Sequence, residues 1–170
     1  IEKRDDQYIF RYKSNAGQSW ATLGTYTTTM PVAYVGLETR TFGSTNGDAI
    51  FNIDYFNLER YGLAAPGPGI VEVEEDLFND QTLARGWEWY VPKSGPTYSL
   101  SAVPGVFRMN LPAYHTFEHW LSTDDAPQLR RGGLGDGDWA IETRLLNAAL
   151  LSDSGFLAGL EIGFDQYDQL

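Results

Sequence analysis

The chain has 170 residues, with 12 Lys+Arg against 23 Asp+Glu and a formal net charge of -11. That length suits one domain or parts of two, and 42% hydrophobic residues can furnish a core, which excludes global disorder. The acidic balance argues against neutralising nucleic-acid phosphates or docking on anionic membranes, and the absence of cysteine removes disulfides, thiolate catalysis and Cys-ligated metals.

No apolar run reaches the ~20 residues of a membrane helix. Only Lys3, Lys13 and Lys93 are lysines, and Asx, Gly, Thr and aromatic residues are frequent. This composition predicts an extracellular or cell-surface β-protein.

Strand signals run the length of the chain. Residues 7–13 alternate, with Tyr8, Phe10 and Tyr12 on one face and Ile9 and Arg11 on the other. The turn formers of 14–18 and the return at 19–28 predict a hairpin. Residues 31–42 form a further β-rich run. Residues 49–61 read as a long strand with Phe51, Ile53 and Tyr55 on one side and Asn52, Asp54 and Phe56 on the other. Residues 62–70, with two prolines and three glycines in 62–69, predict a linker between a 1–61 portion and a 71–170 portion.

Residues 70–78 then open a strand, and Trp87 and Trp89 share one face of an extended segment. Short strands follow at 97–101 and 106–111 around the Pro104-Gly105 turn. Residues 139–145 alternate, and 155–164 form a glycine-spaced strand. Residues 147–151 suggest a helical turn. Many short strands with frequent turns predict an all-β antiparallel sandwich.

These residues carry a resemblance. Asp76-Leu77-Phe78, Trp87-Glu88-Trp89, the strand at 106–111, Asp125-Ala126-Pro127 with Leu129-Arg130, the turn 135–138 before Trp139, and 158–162 resemble the opening portion of a concanavalin A-like, laminin-G-like jelly roll. Similar modules are the accessory β-sandwich domains of family 43 glycoside hydrolases. Residues 10–14, Gly17, Ser19-Trp20, Val35-Gly36-Leu37 and the strand 51–56 resemble the closing portion of that family. The closing portion comes first. Either the chain is a window on a tandem array, with Ile1 and Leu170 as cut ends, or one module is permuted with 62–70 bridging its original termini. The array is the preferred expectation. In both cases each half needs a complement, from the other half or from a neighbouring copy.

Several motifs carry chemistry. His115-Thr116-Phe117-Glu118-His119 matches H-x-x-E-H, a zinc pattern that needs both imidazoles on one helical face. Pro112 and the 124–127 turn leave little room for that helix, so a chance surface or core pair is the preferred reading. Glu161 and Asp165 lie on one face of a strand about 13 Å apart, beyond the ~5 Å or ~6.5–9.5 Å of glycosidase carboxyl pairs. Solvent-facing charges are preferred, and no catalytic residue is assigned.

The resemblance implies a structural calcium, for which Asp48, Asp124, Asp125, Asp136 and Asp138 are candidates, with ordinary Asx turns as the competing reading. Trp20, Tyr26, Trp87, Trp89 and Trp120 are candidate sugar platforms, although large aromatics in a sandwich are more often core. The expectation is a non-catalytic structural or adhesive repeat of a large secreted or cell-surface, filament-forming protein, its partners being neighbouring copies. The alternative is a carbohydrate-binding accessory module beside a hydrolase, with polysaccharide as partner.

Overall fold

Fourteen antiparallel strands make up the computed structural model, which describes residues 1–43, 46–64, 67–120, 123–150 and 155–164. They are β1 (Glu2–Arg4), β2 (Gln7–Tyr12), β3 (Ala21–Thr27), β4 (Val32–Thr41), β5 (Ala49–Ala64), β6 (Gly67–Asp76), β7 (Trp87–Tyr90), β8 (Thr97–Ser99), β9 (Phe107–Leu111), β10 (His119–Trp120), β11 (Thr123–Asp124), β12 (Gln128–Arg131), β13 (Asp138–Leu150) and β14 (Phe156–Phe164). No helix occurs among the described residues.

The larger sheet runs β3-β2-β1-β13-β5-β9-β8, with β6 also paired to β5. The smaller runs β14-β4-β12-β7, and β10 and β11 form a separate two-stranded ribbon. The architecture is sandwich-like. One apolar cluster joins Tyr8, Phe51, Phe107 and Trp139 of the larger sheet to Val35, Leu37 and Leu129 of the smaller. Rings meet across the interface: Phe51 lies 5.4 Å from Phe156, Tyr8 5.3 Å from Phe164, and Phe56 4.8 Å from Trp87.

The two portions complete each other within this chain. β4 of the first portion sits between β14 and β12 of the second, and β5 pairs with β13 and β9. The described part of the expected 62–70 linker is paired backbone. Leu63 faces Pro68 and Gly62 faces Gly69 as β5 continues into β6.

β5 departs from simple alternation. Phe51 and Ile53 face the core, but so do Phe56 and Leu58. Opposite β13, Ile53 pairs with Leu145 and Phe56 with Thr143, so β5 carries one extra residue there. This bulge returns Phe56 to the core side, which strict alternation had denied it. A second register shift, between Leu145 and Asn147, places the extra residue on β13 and restores the pairing. Residues 147–150, expected as a helical turn, are strand and pair with 49–52.

Asp76 ties the start of the second portion together. Its carboxylate accepts the Phe78 amide at 2.8 Å and the Trp87 indole Nε1–H at 2.8 Å. These bonds hold Phe78 in a left-handed conformation (φ 52°) with its ring buried.

Candidate functional site

Alternation along β4 sends Val35, Leu37 and Thr39 into the core and leaves Tyr34, Gly36, Glu38 and Arg40 on the outer face of the smaller sheet. Register then sets their neighbours. Gln128 pairs with Glu38 and Arg130 with Gly36 on one side. Glu161 pairs with Gly36 and Gly163 with Tyr34 on the other. Glu38 and Glu161 are therefore diagonal neighbours on adjacent strands, within reach of each other. The β10–β11 ribbon brings His119 to the same place, anchored by Arg40 donating to the His119 carbonyl at 2.8 Å.

Two glycines make the geometry possible. A Cβ at Gly36 would fall 2.2 Å from the Leu129 carbonyl oxygen, so only glycine lets β4 and β12 approach this closely. A Cβ at Gly163 would fall 2.1 Å from Tyr34 Cε1, so the tyrosine ring lies flat against bare backbone.

The cluster is polar and buried. The Glu38 side chain is 3% exposed, Glu161 13% and His119 30%. His119 Nδ1 lies 2.7 Å from Glu38 Oε2, 3.2 Å from Glu161 Oε1 and 2.9 Å from Gln128 Nε2. Gln128 Nε2 donates to Glu38 Oε2 at 3.4 Å and to Glu161 Oε1 at 3.3 Å. The Tyr34 hydroxyl donates to Glu161 Oε1 at 3.3 Å. Glu38 Oε1 lies 2.7 Å from Arg40 Nε. Arg130 donates to Gln128 Oε1 and lies flanked by the Tyr34 and Tyr90 rings, 4.3 and 3.4 Å from their centroids.

Burial, reinforced by the neighbouring Glu38 carboxylate, pushes Glu161 up to about 8, while Arg130 and Tyr34 pull the other way. Glu161 thus holds a proton at neutral pH. Burial, with Glu161 beside it, also raises the Tyr34 hydroxyl well above the usual tyrosine range. A pocket of about 430 Å³ opens over the cluster, bordered by Met30, Tyr34, His119, Glu161 and Phe164.

The sequence candidates are placed differently. Trp87 and Trp89 pack against the core, Trp87 on Phe56 and Trp89 on Tyr98 and Phe107, so neither is an open platform. Trp20 and Tyr26 are exposed at the β3 edge of the larger sheet, Trp20 beneath the Lys13 ammonium at 4.2 Å. Trp120 lies on β10, and its side chain falls outside the described residues.

The five aspartates do not converge on a calcium site. Asp48 accepts from the Ala113 amide and Asn110, Asp124 from Tyr90, and Asp125 pairs with Lys93. The Asp136 carbonyl accepts from Lys3, and Asp138 accepts from the Asp5 amide. Asp48, Asp124, Asp125 and Asp138 spend carboxylate oxygens on these partners, and among the described residues the five form no ligand cluster, so the donor set does not fit a calcium ion.

His115 and His119 occupy loop and strand rather than one helical face, and His115 lies against Phe117 instead. Asp165 lies outside the described residues. His119 and Glu161 were visible as chemistry-bearing residues, but each was paired with the wrong partner. No motif marks Tyr34, Glu38 or Gln128, and Arg130 enters only through the Leu129-Arg130 resemblance. The signal for them was polar residues at alternate positions in Tyr34-Val35-Gly36-Leu37-Glu38-Thr39-Arg40 and Gln128-Leu129-Arg130. Comparison with models of known families, with curated proteins and with solved structures found no match.

Proposed function

We propose that this protein is a non-catalytic module of a secreted or cell-surface protein, built as a concanavalin A-like, laminin-G-like jelly roll, that adheres by binding carbohydrate. The observation that supports this reading is the pocket on the outer face of the smaller sheet. Hydroxyl, carboxyl, imidazole and, just beside it, guanidinium groups from β4, β10, β12 and β14 converge there around the Tyr34 ring. Sugars are bound by such combinations of polar groups and ring faces.

Glycosidase chemistry is disfavoured by the same site. Glu38 and Glu161 bring carboxylate oxygens within 4.8 Å of one another beside His119 and are almost fully buried, too close for inversion and too enclosed for attack on an anomeric carbon. A glycan array followed by calorimetry on Tyr34→Ala tests the proposal. A saturable glycan whose affinity drops at least tenfold in the variant supports it. An empty array opposes it.

A second reading, the structural repeat, is favoured by the open side of the sandwich. All seven residues of β3 are exposed. Tyr12, Trp20, Leu23, Leu145 and Leu146 are exposed around a groove of about 690 Å³ beside it. An unprotected edge next to apolar surface invites another copy. Sedimentation velocity from micromolar to millimolar protein tests this, and a monomer throughout counts against it.

A further inference from the structure

The hydrogen bonding around His119 does not close on itself. One ring nitrogen carries either a proton or a lone pair. The Glu38 carboxylate oxygen, at 2.7 Å, requires Nδ1 to donate. The Gln128 amide nitrogen, at 2.9 Å, requires it to accept. No tautomer serves both contacts. Reversing the Gln128 amide does not help, because Gln128 Oε1 already accepts from Arg130. Glu161 Oε2 is buried with no hydrogen-bond partner.

We propose that Glu38, His119 and Glu161 form a site for a divalent transition-metal cation of the Zn²⁺ type, ligated by His119 Nδ1 and one oxygen from each carboxylate. The three ligand atoms already lie within 4.8 Å of one another. Four ligands at ~2.0–2.1 Å around tetrahedral zinc stand roughly 3.3 Å apart. The His119–Glu161 separation of 3.2 Å fits that spacing, and the His119–Glu38 separation of 2.7 Å needs only a small opening.

The cation resolves the conflict. It takes the Nδ1 lone pair and both carboxylates, and leaves the Gln128 Nε2–H groups to the carboxylate oxygens they already reach at 3.4 and 3.3 Å. Arg40 and Gln128 then orient the ligands from behind, as outer partners of metal sites do. The mixed imidazole and carboxylate set favours Zn²⁺ over Ca²⁺ or Mg²⁺, which take oxygen ligands. The pocket bordered by Tyr34, His119 and Glu161 leaves the fourth position to water or ligand.

This assignment stands on side-chain geometry and not on the carbohydrate reading. Tyr34→Ala is expected to keep the metal while losing any glycan, which separates the two.

The test is calorimetric titration of the full chain with zinc chloride, beside His119→Ala and Glu161→Gln, each checked for an unaltered fold by circular dichroism. The expected result is one Zn²⁺ per chain, a melting temperature that climbs with zinc concentration, and at least a tenfold loss of affinity in a folded variant. Absence of saturable zinc binding overturns the proposal. So does a folded His119→Ala that binds as tightly as the parent, or tighter binding of Ca²⁺ than of Zn²⁺.

Discussion

The two faces of the smaller sheet are built from alternate residues of the same strands, yet they are buried by different means. The inner face carries Val35, Leu37 and Leu129, each fully enclosed by rings and aliphatic chains of the larger sheet. The outer face carries Glu38 and Gln128, which are equally enclosed but by other polar groups. Apolar burial is favourable by itself, at roughly 25 cal/mol per Å². Polar burial costs free energy unless every group finds a partner.

The largest effect is expected on the inner face. Trp139→Ala removes a fully buried ring that packs on Tyr8, and urea unfolding should show a loss of about 3–5 kcal/mol. A loss under ~1 kcal/mol would mean that the sheets do not pack as described. Glu38→Ala on the outer face removes the carboxylate that meets Arg40 Nε and the Gln128 amide, at about 1–3 kcal/mol. If that variant proved more stable than the parent, the contacts of Glu38 would not offset the cost of burying it.

Gly163→Ala sharpens the contrast further. The added methyl must push the Tyr34 ring aside, so binding in the pocket should weaken about tenfold while chemical denaturation shifts by less than ~1.5 kcal/mol. Equal affinity in calorimetry would remove Tyr34 from the site. The smallest effect belongs to the open edge. Leu23→Ser on β3, where the side chain is 69% exposed, should change stability by no more than ~0.5 kcal/mol. A larger change in the isolated chain would mean the edge is covered.

Much of the fold was legible from alternation and turn chemistry. Tyr8 and Phe10 face inward, Trp87 and Trp89 share a core face, and β14 follows the glycine-spaced run. The bulge in β5 was not legible, because period-two reasoning cannot see an inserted residue that swaps the faces after Ile53. The site was harder for a related reason. Glu38, His119, Gln128 and Glu161 span 123 positions of sequence and meet only through the registers of β4 with β12 and β14 and through the β10–β11 ribbon. Composition marks none of them, and local motifs offered His115 and Asp165 as partners instead. The aromatic candidates failed where the inter-sheet core claimed them, as it did Trp87 and Trp89.

Every side chain of the cluster also depends on the meeting of the two portions. Tyr34, Glu38 and Arg40 come from before residue 62, and His119, Gln128, Arg130 and Glu161 from after residue 70. The central claim is thus that β5 pairs with β13 in the same chain. Glu59 faces Ala140 across that pair on the outer side of the larger sheet, at a separation that suits a disulfide. The chain has no cysteine of its own, so Glu59→Cys with Ala140→Cys reports on this contact alone. After mild oxidation, non-reducing mass spectrometry should find an intramolecular bond in a 170-residue monomer. Bonds formed only between chains would place the complementing strand in a neighbouring copy and contradict the account.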